Sequence, residues 1–279
     1  MADSPRKAAQ KDHLFGPARS WRPGIAVRLS ILFHLAAVIA LLARQAWWPW
    51  VVTALVANHL TLGLIGMWPR SRLLGDNMLR LPDAATRRGE IAVTFDDGPH
   101  PEITPKVLDI LDRYGAKASF FCVGEKAAAH PDIVREIVRH GHAIENHSMR
   151  HSGFFGFFGP AALRRDIGAA QSVLGGITGR PPHFFRAPMG IRNPMLDPVM
   201  ARLGLHYVTW TRRGFDTIAR DPAVVLERLS DCLAAGDILL LHDRLSVHGE
   251  PIVLTVLPAL LEKLSAAGLK PVSLTMAMR

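Results

Sequence analysis

Two apolar stretches placed almost end to end near the N-terminus constrain this chain more than any other feature. From Ile25 to Ala43 only Arg28, Ser30 and His34 interrupt an apolar run, and Ala46 to Trp68 is a second run without a charge. At about 1.5 Å per residue each can cross a hydrocarbon core of roughly 30 Å. Lipid admits only helices or closed barrels, because backbone polar groups must be satisfied inside the segment. Two membrane-spanning helices are therefore predicted, with Trp47, Trp48, Trp50 and Trp68 near the interfaces. A secretory signal peptide fits less well: the charged tail ahead is long, no clear A-x-A site follows, and a second apolar run comes at once.

Nearly all of the formal charge of +9 lies in this region. Residues 1–88 carry 12 Lys and Arg against 4 Asp and Glu, and the rest of the chain carries 21 against 20. Arg6, Lys7, Lys11, Arg19, Arg22 and Arg28 stand at or before the start of the first run. Arg70, Arg72, Arg80, Arg87 and Arg88 follow the second, with only Arg44 between the two. The positive-inside bias then places both flanks, and the large C-terminal domain, on the cytoplasmic side of the inner (cytoplasmic) membrane. With a single span the domain would be periplasmic. The same distribution argues for an orientation signal rather than a phosphate-binding face on the folded domain, and hence for no nucleic-acid partner. Four segments follow: a basic tail 1–24, two spans within 25–68, an Arg-rich linker 69–89 and a domain 90–279. Cys122 and Cys232 lack metal-site spacing and sit in apolar runs, so both are read as buried thiols.

In the C-terminal domain short β-branched or aromatic runs alternate with helical patterns. Strands are predicted over 91–95, 118–123, 142–146, 183–186, 205–210, 237–242 and 270–274, and helices over 103–113, 132–139, 160–175, 221–233 and 251–267. This is an α/β pattern with a parallel sheet, either a distorted barrel or an open doubly wound sheet. Asp96 and Asp97, His147, Arg186, Asp216 and His242 all fall at carboxyl ends of these strands, the face on which parallel barrels build active sites.

Two of these positions suggest a metal. The hexapeptide Thr94–Pro99 sets adjacent carboxylates at a strand end, and a cation relieves their repulsion by binding one while the other accepts a proton. His147 and His151 are four residues apart, the spacing of a two-histidine clamp if the loop forms a helical turn. With one Asp they form a His-His-carboxylate set that leaves positions open on Zn²⁺ or another divalent ion.

Taken together, Thr94–Pro99, His147–His151, Arg186-Ala187-Pro188 and Ile238–Asp243 resemble, in order and spacing, the motifs of the polysaccharide deacetylase (NodB-homology) family, carbohydrate esterase family 4. The resemblance implies a distorted (β/α)7 barrel over 90–279 and a carbohydrate N-deacetylase activity. It makes Asp97, His147 and His151 the metal ligands and Asp96 the general base that activates water. His242, on the opposite side of the site, becomes the general acid for the leaving amine. It further implies that Arg186 holds Asp96, Asp216 orients His242, backbone near Met189 binds the oxyanion, and Leu240 shapes the acyl-methyl pocket. The expected substrate is an N-acetyl or N-acyl amino sugar in a glycan or glycolipid, handled at a membrane with Zn²⁺ as cofactor. The alternatives are an O-deacetylase and a non-catalytic glycan-binding or assembly protein on the same barrel.

Two departures and one addition stand out. Met189 and Thr217 occupy positions where the family usually has aromatic residues. Immediately after His151 come four phenylalanines, Phe154, Phe155, Phe157 and Phe158, separated by glycines. They either pack against the next helix or form a lip that meets a bilayer or a lipid tail. His100, His130, His140, His142, His183, His206 and His248 are read as structural or surface residues.

Overall fold

Eight parallel strands wind through the C-terminal domain, and their alternation explains where each side chain goes. The computed structural model describes residues 17–279, so Arg6, Lys7 and Lys11, with most of the basic tail, lie outside the described residues. The strands are β1 (Glu90–Asp96), β2 (Ser119–Cys122), β3 (Ala143–Asn146), β4 (Phe184–Phe185), β5 (His206–Tyr207), β6 (Arg212–Arg213), β7 (Ile238–His242) and β8 (Lys270–Val272). Their order is β5-β4-β3-β2-β1-β7-β6, with β8 paired to the start of β1. This curled parallel sheet, flanked by helices, is a distorted, incomplete barrel. All seven strands expected from sequence are present. The unexpected eighth, β6, is a two-residue ribbon too short to leave a periodic signal.

Successive strand residues point to opposite faces. On β1, Ile91, Val93 and Phe95 join the large core under helices Thr104–Arg113 and Ile252–Ala266, together with Leu239 and Leu241 of β7. Ala92 and Ile238 belong instead to the core inside the sheet. The same parity turns Asp96 and His242 inward, and these two residues are register partners on adjacent strands. Asp96 and His242 therefore rise from neighbouring strands.

The apolar helices are Ile25–Ala43 and Trp48–Gly66, joined by a single 3₁₀ turn. Each spans 19 residues, or about 28 Å, and only 11% of either apolar window is buried, unlike the core helix of a soluble domain. Asn58 Nδ2 donates to Ser30 Oγ between the two helices at 2.9 Å. One foot rests on the segment 69–89 and the other on the domain. Gly24 lies against the Leu73–Gly75 backbone, where a Cβ would collide, and Arg192 N donates to Gly66 O at 3.1 Å.

The segment 69–89 does more than connect. Leu74, Leu81 and Ala85 are buried, Met78 pairs with Val208, and Arg80 reaches Asp237 at 2.5 Å. One cysteine assignment is corrected: Cys122 is buried, but Cys232 is exposed, because the helix Pro222–Ser230 ends before it and a turn with φ +48° lifts it off the core.

Candidate active site

The ends of β1, β3, β4 and β7 converge on a pocket of about 140 Å³ whose lining includes Asp96, Asp97, His147, His151, Met189, Leu240 and His242. Arg186 and Asp216 stand behind this lining, Arg186 in contact with Asp96 and His147 and Asp216 with His242.

The two histidines do not meet through a helical turn. Residues 147–151 form an irregular loop in which Ser148 and His151 take φ +68° and +48°, and Asp97 across from them takes φ +72°. Left-handed backbone at non-glycine residues costs energy and persists where the surroundings enforce it. Here Asn146, at the end of β3, enforces it. Its side chain donates to Ile167 O and Gln171 Oε1 and accepts from Ser148 N at 2.9 Å. Ser148 Oγ then accepts from His151 N at 3.0 Å, and Asp166 Oδ2 accepts from Met149 N.

The result is a tight triad. His147 Nε2 lies 3.3 Å and His151 Nε2 3.1 Å from Asp97 Oδ1, with the rings 5.0 Å apart. This is the only group of its kind among the described residues. His147 Nδ1 contacts the Arg186 carbonyl at 2.8 Å. A carbonyl can only accept, so Nδ1 carries the proton and Nε2 presents its lone pair to the triad. Asp97 Oδ1 is buried without a hydrogen-bond partner. Burial pushes the Asp97 carboxyl up, and the neighbouring imidazoles, when they carry protons on Nε2, outweigh burial and hold the pKa well below the usual carboxylate range. Two imidazoles and an ionised, unpartnered carboxylate oxygen within 4.8 Å of one another suit a divalent cation.

Asp96 is held from behind. Arg186, fully buried, donates from Nη1 to Asp96 Oδ1 at 2.6 Å and to Thr94 Oγ1 at 2.9 Å, and from Nη2 to Thr209 O at 3.0 Å. Its guanidinium stacks 4.1 Å from the Phe121 ring centroid. Asp96 Oδ2 remains toward the triad, 3.9 Å from His147 Nε2.

His242 is gripped by Asp216, which accepts from the His242 backbone N–H at 2.7 Å and meets Nδ1 at 2.8 Å. Burial lowers the imidazole pKa, the Asp216 charge and hydrogen bond raise it, and the net shift is upward. Met189, with φ +57°, and Leu240 line the pocket wall.

Three further residues at the site are missed by the sequence reading. Arg244 Nη1 lies 3.2 Å from Asp97 Oδ2, and Trp210 and Arg213 line the pocket. Arg244 follows His242 by two residues, a loop position that could have suggested it. Trp210 supplies an aromatic wall where Met189 and Thr217 do not. The phenylalanines also divide. Phe155 is buried with Leu163 and Phe185, whereas Phe154 is 74% and Phe157 87% exposed.

Comparisons with known proteins bear on this arrangement. The profile of the polysaccharide deacetylase family matches residues 83–208. The chain is 36% identical over 157 residues to the chitooligosaccharide deacetylase of Azorhizobium caulinodans, covering 56% of this chain and 74% of that protein. It is 33% identical over 155 residues to a peptidoglycan-N-acetylglucosamine deacetylase of Bacillus cereus, covering 55% and 72%. The fold matches a family 4 acetyl xylan esterase from Clostridium thermocellum, solved in complex with a cobalt ion. The TM-score is 0.62 and the identity 30%, covering 67% of this chain and 89% of that one.

Proposed function

Because this chain belongs to the polysaccharide deacetylase family, we propose that it is a membrane-anchored, metal-dependent hydrolase that removes the N-acetyl group from an amino sugar of a glycan or a lipid-linked saccharide. The observation that carries the metal dependence is the orphaned, buried Asp97 Oδ1 with two imidazole nitrogens at 3.1 and 3.3 Å.

Asp97, His147 and His151 would hold a divalent cation, Zn²⁺ by the chemistry of the donor set, which when bound acidifies water and polarises the amide carbonyl. The remaining work falls to the chain. Arg186 fixes one oxygen of Asp96, so the other oxygen is left to take a proton from the attacking water. Charge that develops on the carbonyl oxygen falls beside the Met189 backbone. An amine anion is a very poor leaving group, so the C–N bond breaks only as the nitrogen is protonated. His242, with Nδ1 committed to Asp216, offers that proton from Nε2. Leu240 and Trp210 give the acetyl methyl an apolar wall.

The Asp216–His242 pair favours amide hydrolysis over ester hydrolysis, since an alkoxide leaves with less help. Resemblance to an acetyl xylan esterase supports the ester as a second reading. A non-catalytic binder has no use for a base and an acid flanking one triad. On paired N-acetyl and O-acetyl derivatives of one sugar, His242→Ala is expected to lower kcat on the amide by about 10²–10⁴-fold and on the ester far less. Equal losses on the two favour the ester reading.

The apolar helices support the anchor. Trp47, Trp48 and Trp50 mark one end of the pair and Trp21 and Trp68 the other, all exposed, as expected of rings at two bilayer interfaces. One foot meets segment 69–89 and the other the domain, which supports two crossings, and the flanking arginines support a cytoplasmic domain.

A further inference from the structure

Amide hydrolysis leaves a second cavity unexplained. A groove of about 670 Å³ begins at Trp68 and Arg70, at the foot of the second apolar helix, and reaches Trp210 and Arg213, which also line the catalytic pocket. Phe215 and Arg228 line it as well. The sequence reading expects no cluster of basic residues on the folded domain. The fold makes one by bringing Arg70 from the connecting segment against β6 and the helix Pro222–Ser230.

The arginines of this groove are unequally used. Arg212 is neutralised by Asp237 at 3.0 Å. Arg70, Arg213 and Arg228 have no carboxylate oxygen within 4.0 Å among the described residues, although Asp231 also lines the groove. Arg213 Nε is buried with no hydrogen-bond partner. The Arg213 guanidinium lies 5.3 Å from the Trp210 ring and 4.8 Å from Phe215, and Arg228 lies 5.6 Å from Phe215. Guanidinium groups stacked on rings keep their in-plane donors free, and such donors match phosphate oxygens. A neutral glycan has no charge to put there.

The catalytic face is apolar around its mouth. Phe154 and Phe157 after β3, Ile218 after β6, and Leu245 and Val247 after β7 are all exposed. The phenylalanine loop is tied to the helix foot: Asn193 Nδ2 donates to Gly156 O and Phe158 O at 2.9 Å, and the adjacent Arg192 donates its backbone N–H to Gly66 O. The phenylalanine loop and the foot of the apolar pair are thus joined through Asn193 and Arg192, and the groove shares Trp210 and Arg213 with the catalytic pocket.

We infer that the amino sugar arrives attached through a phosphate ester to a membrane lipid. The sugar enters the catalytic pocket, the phosphate lies against Arg70, Arg213 and Arg228, and the lipid runs toward the apolar helices and the Phe154–Phe157 rim. This rests on the deacetylase reading for the fate of the sugar, but not for capture of the phosphate.

Two measurements on the full chain in vesicles separate the possibilities. The first follows energy transfer from tryptophan to a pyrene-labelled hexadecyl phosphate. Saturable binding is expected, about tenfold weaker in the Arg213→Gln/Arg228→Gln double variant and partly restored by lysine at both sites. Equal binding of a pyrene-labelled hexadecyl alcohol, or insensitivity to the glutamines, overturns the proposal. Displacement by glucosamine 1-phosphate at concentrations equal to the lipid assigns the groove to a soluble phosphate and overturns the lipid part. The second compares kcat/KM for N-acetylglucosaminyl phosphate on a long-chain lipid with that for chitotriose. The ratio is expected to favour the lipid and to fall about tenfold in Phe154→Ser/Phe157→Ser, while an unchanged ratio counts against it. Intact phosphate binding with no acetate released from either sugar supports this inference and sinks the deacetylase reading instead.

Discussion

His242, the proposed acid, takes its character chiefly from Asp216. Burial lowers the His242 pKa, and the Asp216 charge with its hydrogen bond to Nδ1, helped by the nearby Asp97 and Asp96, outweighs burial, so the net shift is upward. An acid acts in its protonated form, so activity should be lost as pH rises through the elevated His242 pKa, and the basic limb of the kcat profile lies on the alkaline side of an ordinary histidine. Asp216→Asn removes the charge and keeps the shape, so the basic limb is expected to move to lower pH. A limb that stays in place in kcat–pH measurements would show that another group titrates there. Asp216 was assigned in the sequence only by family resemblance, in a motif lacking its usual tryptophan; its partner is visible only because the loop after β6 folds back on the end of β7.

At the scale of elements, the loop between β3 and the helix Pro160–Thr178 carries both chemistry and packing. Its first half presents His147 and His151 through left-handed backbone pinned by Asn146, and its second half buries Phe155 among Leu163, Ile167 and Phe185. Phe155→Ala is expected to cost about 3–5 kcal/mol in chemical denaturation. Phe157→Ser, at an exposed position, should cost less than about 0.5 kcal/mol. The reverse order would mean that the loop is seated differently. Strand β3 itself holds a titratable load. Burial raises the Glu145 pKa from 4.5 to about 8, against opposing hydrogen bonds from the backbone N–H groups of Phe184 and His183. Between these two values the folded state keeps a proton that the unfolded chain has released, so stability falls as pH rises across that window and levels off above it. Glu145→Gln is expected to flatten the dependence of Tm on pH between about 5 and 8; an unaltered slope would place the proton elsewhere.

Most of these elements were legible in the sequence, because strands flanked by helices leave a period-2 and period-3.6 record and the polar residues cluster after the strands. Three features left none. β6 is too short to show a period, the His147–His151 geometry depends on φ values that residue spacing does not encode, and the alternation within Phe154–Phe158 is fixed by what lies beneath it. Arg244 and Arg213 were missed because their partners, Asp97 and Trp210, are brought to them by chain closure.

For the whole molecule, parallel topology gathers residues from four strands onto one face, and the apolar helix pair is docked beside that same face through Gly24, Gly66 and Arg192. Apolar pair, groove and pocket are thus parts of one assembly, and the proposed hydrolysis depends on the triad of Asp97, His147 and His151 holding a divalent ion. The most direct test is acetate release from an N-acetyl amino sugar by the purified full-length chain, measured before chelation, after it, and after adding back a divalent metal. Loss on chelation, recovery with metal, and no recovery in His147→Ala are expected. Acetate release that chelators leave untouched, or that survives in His147→Ala, would contradict the account.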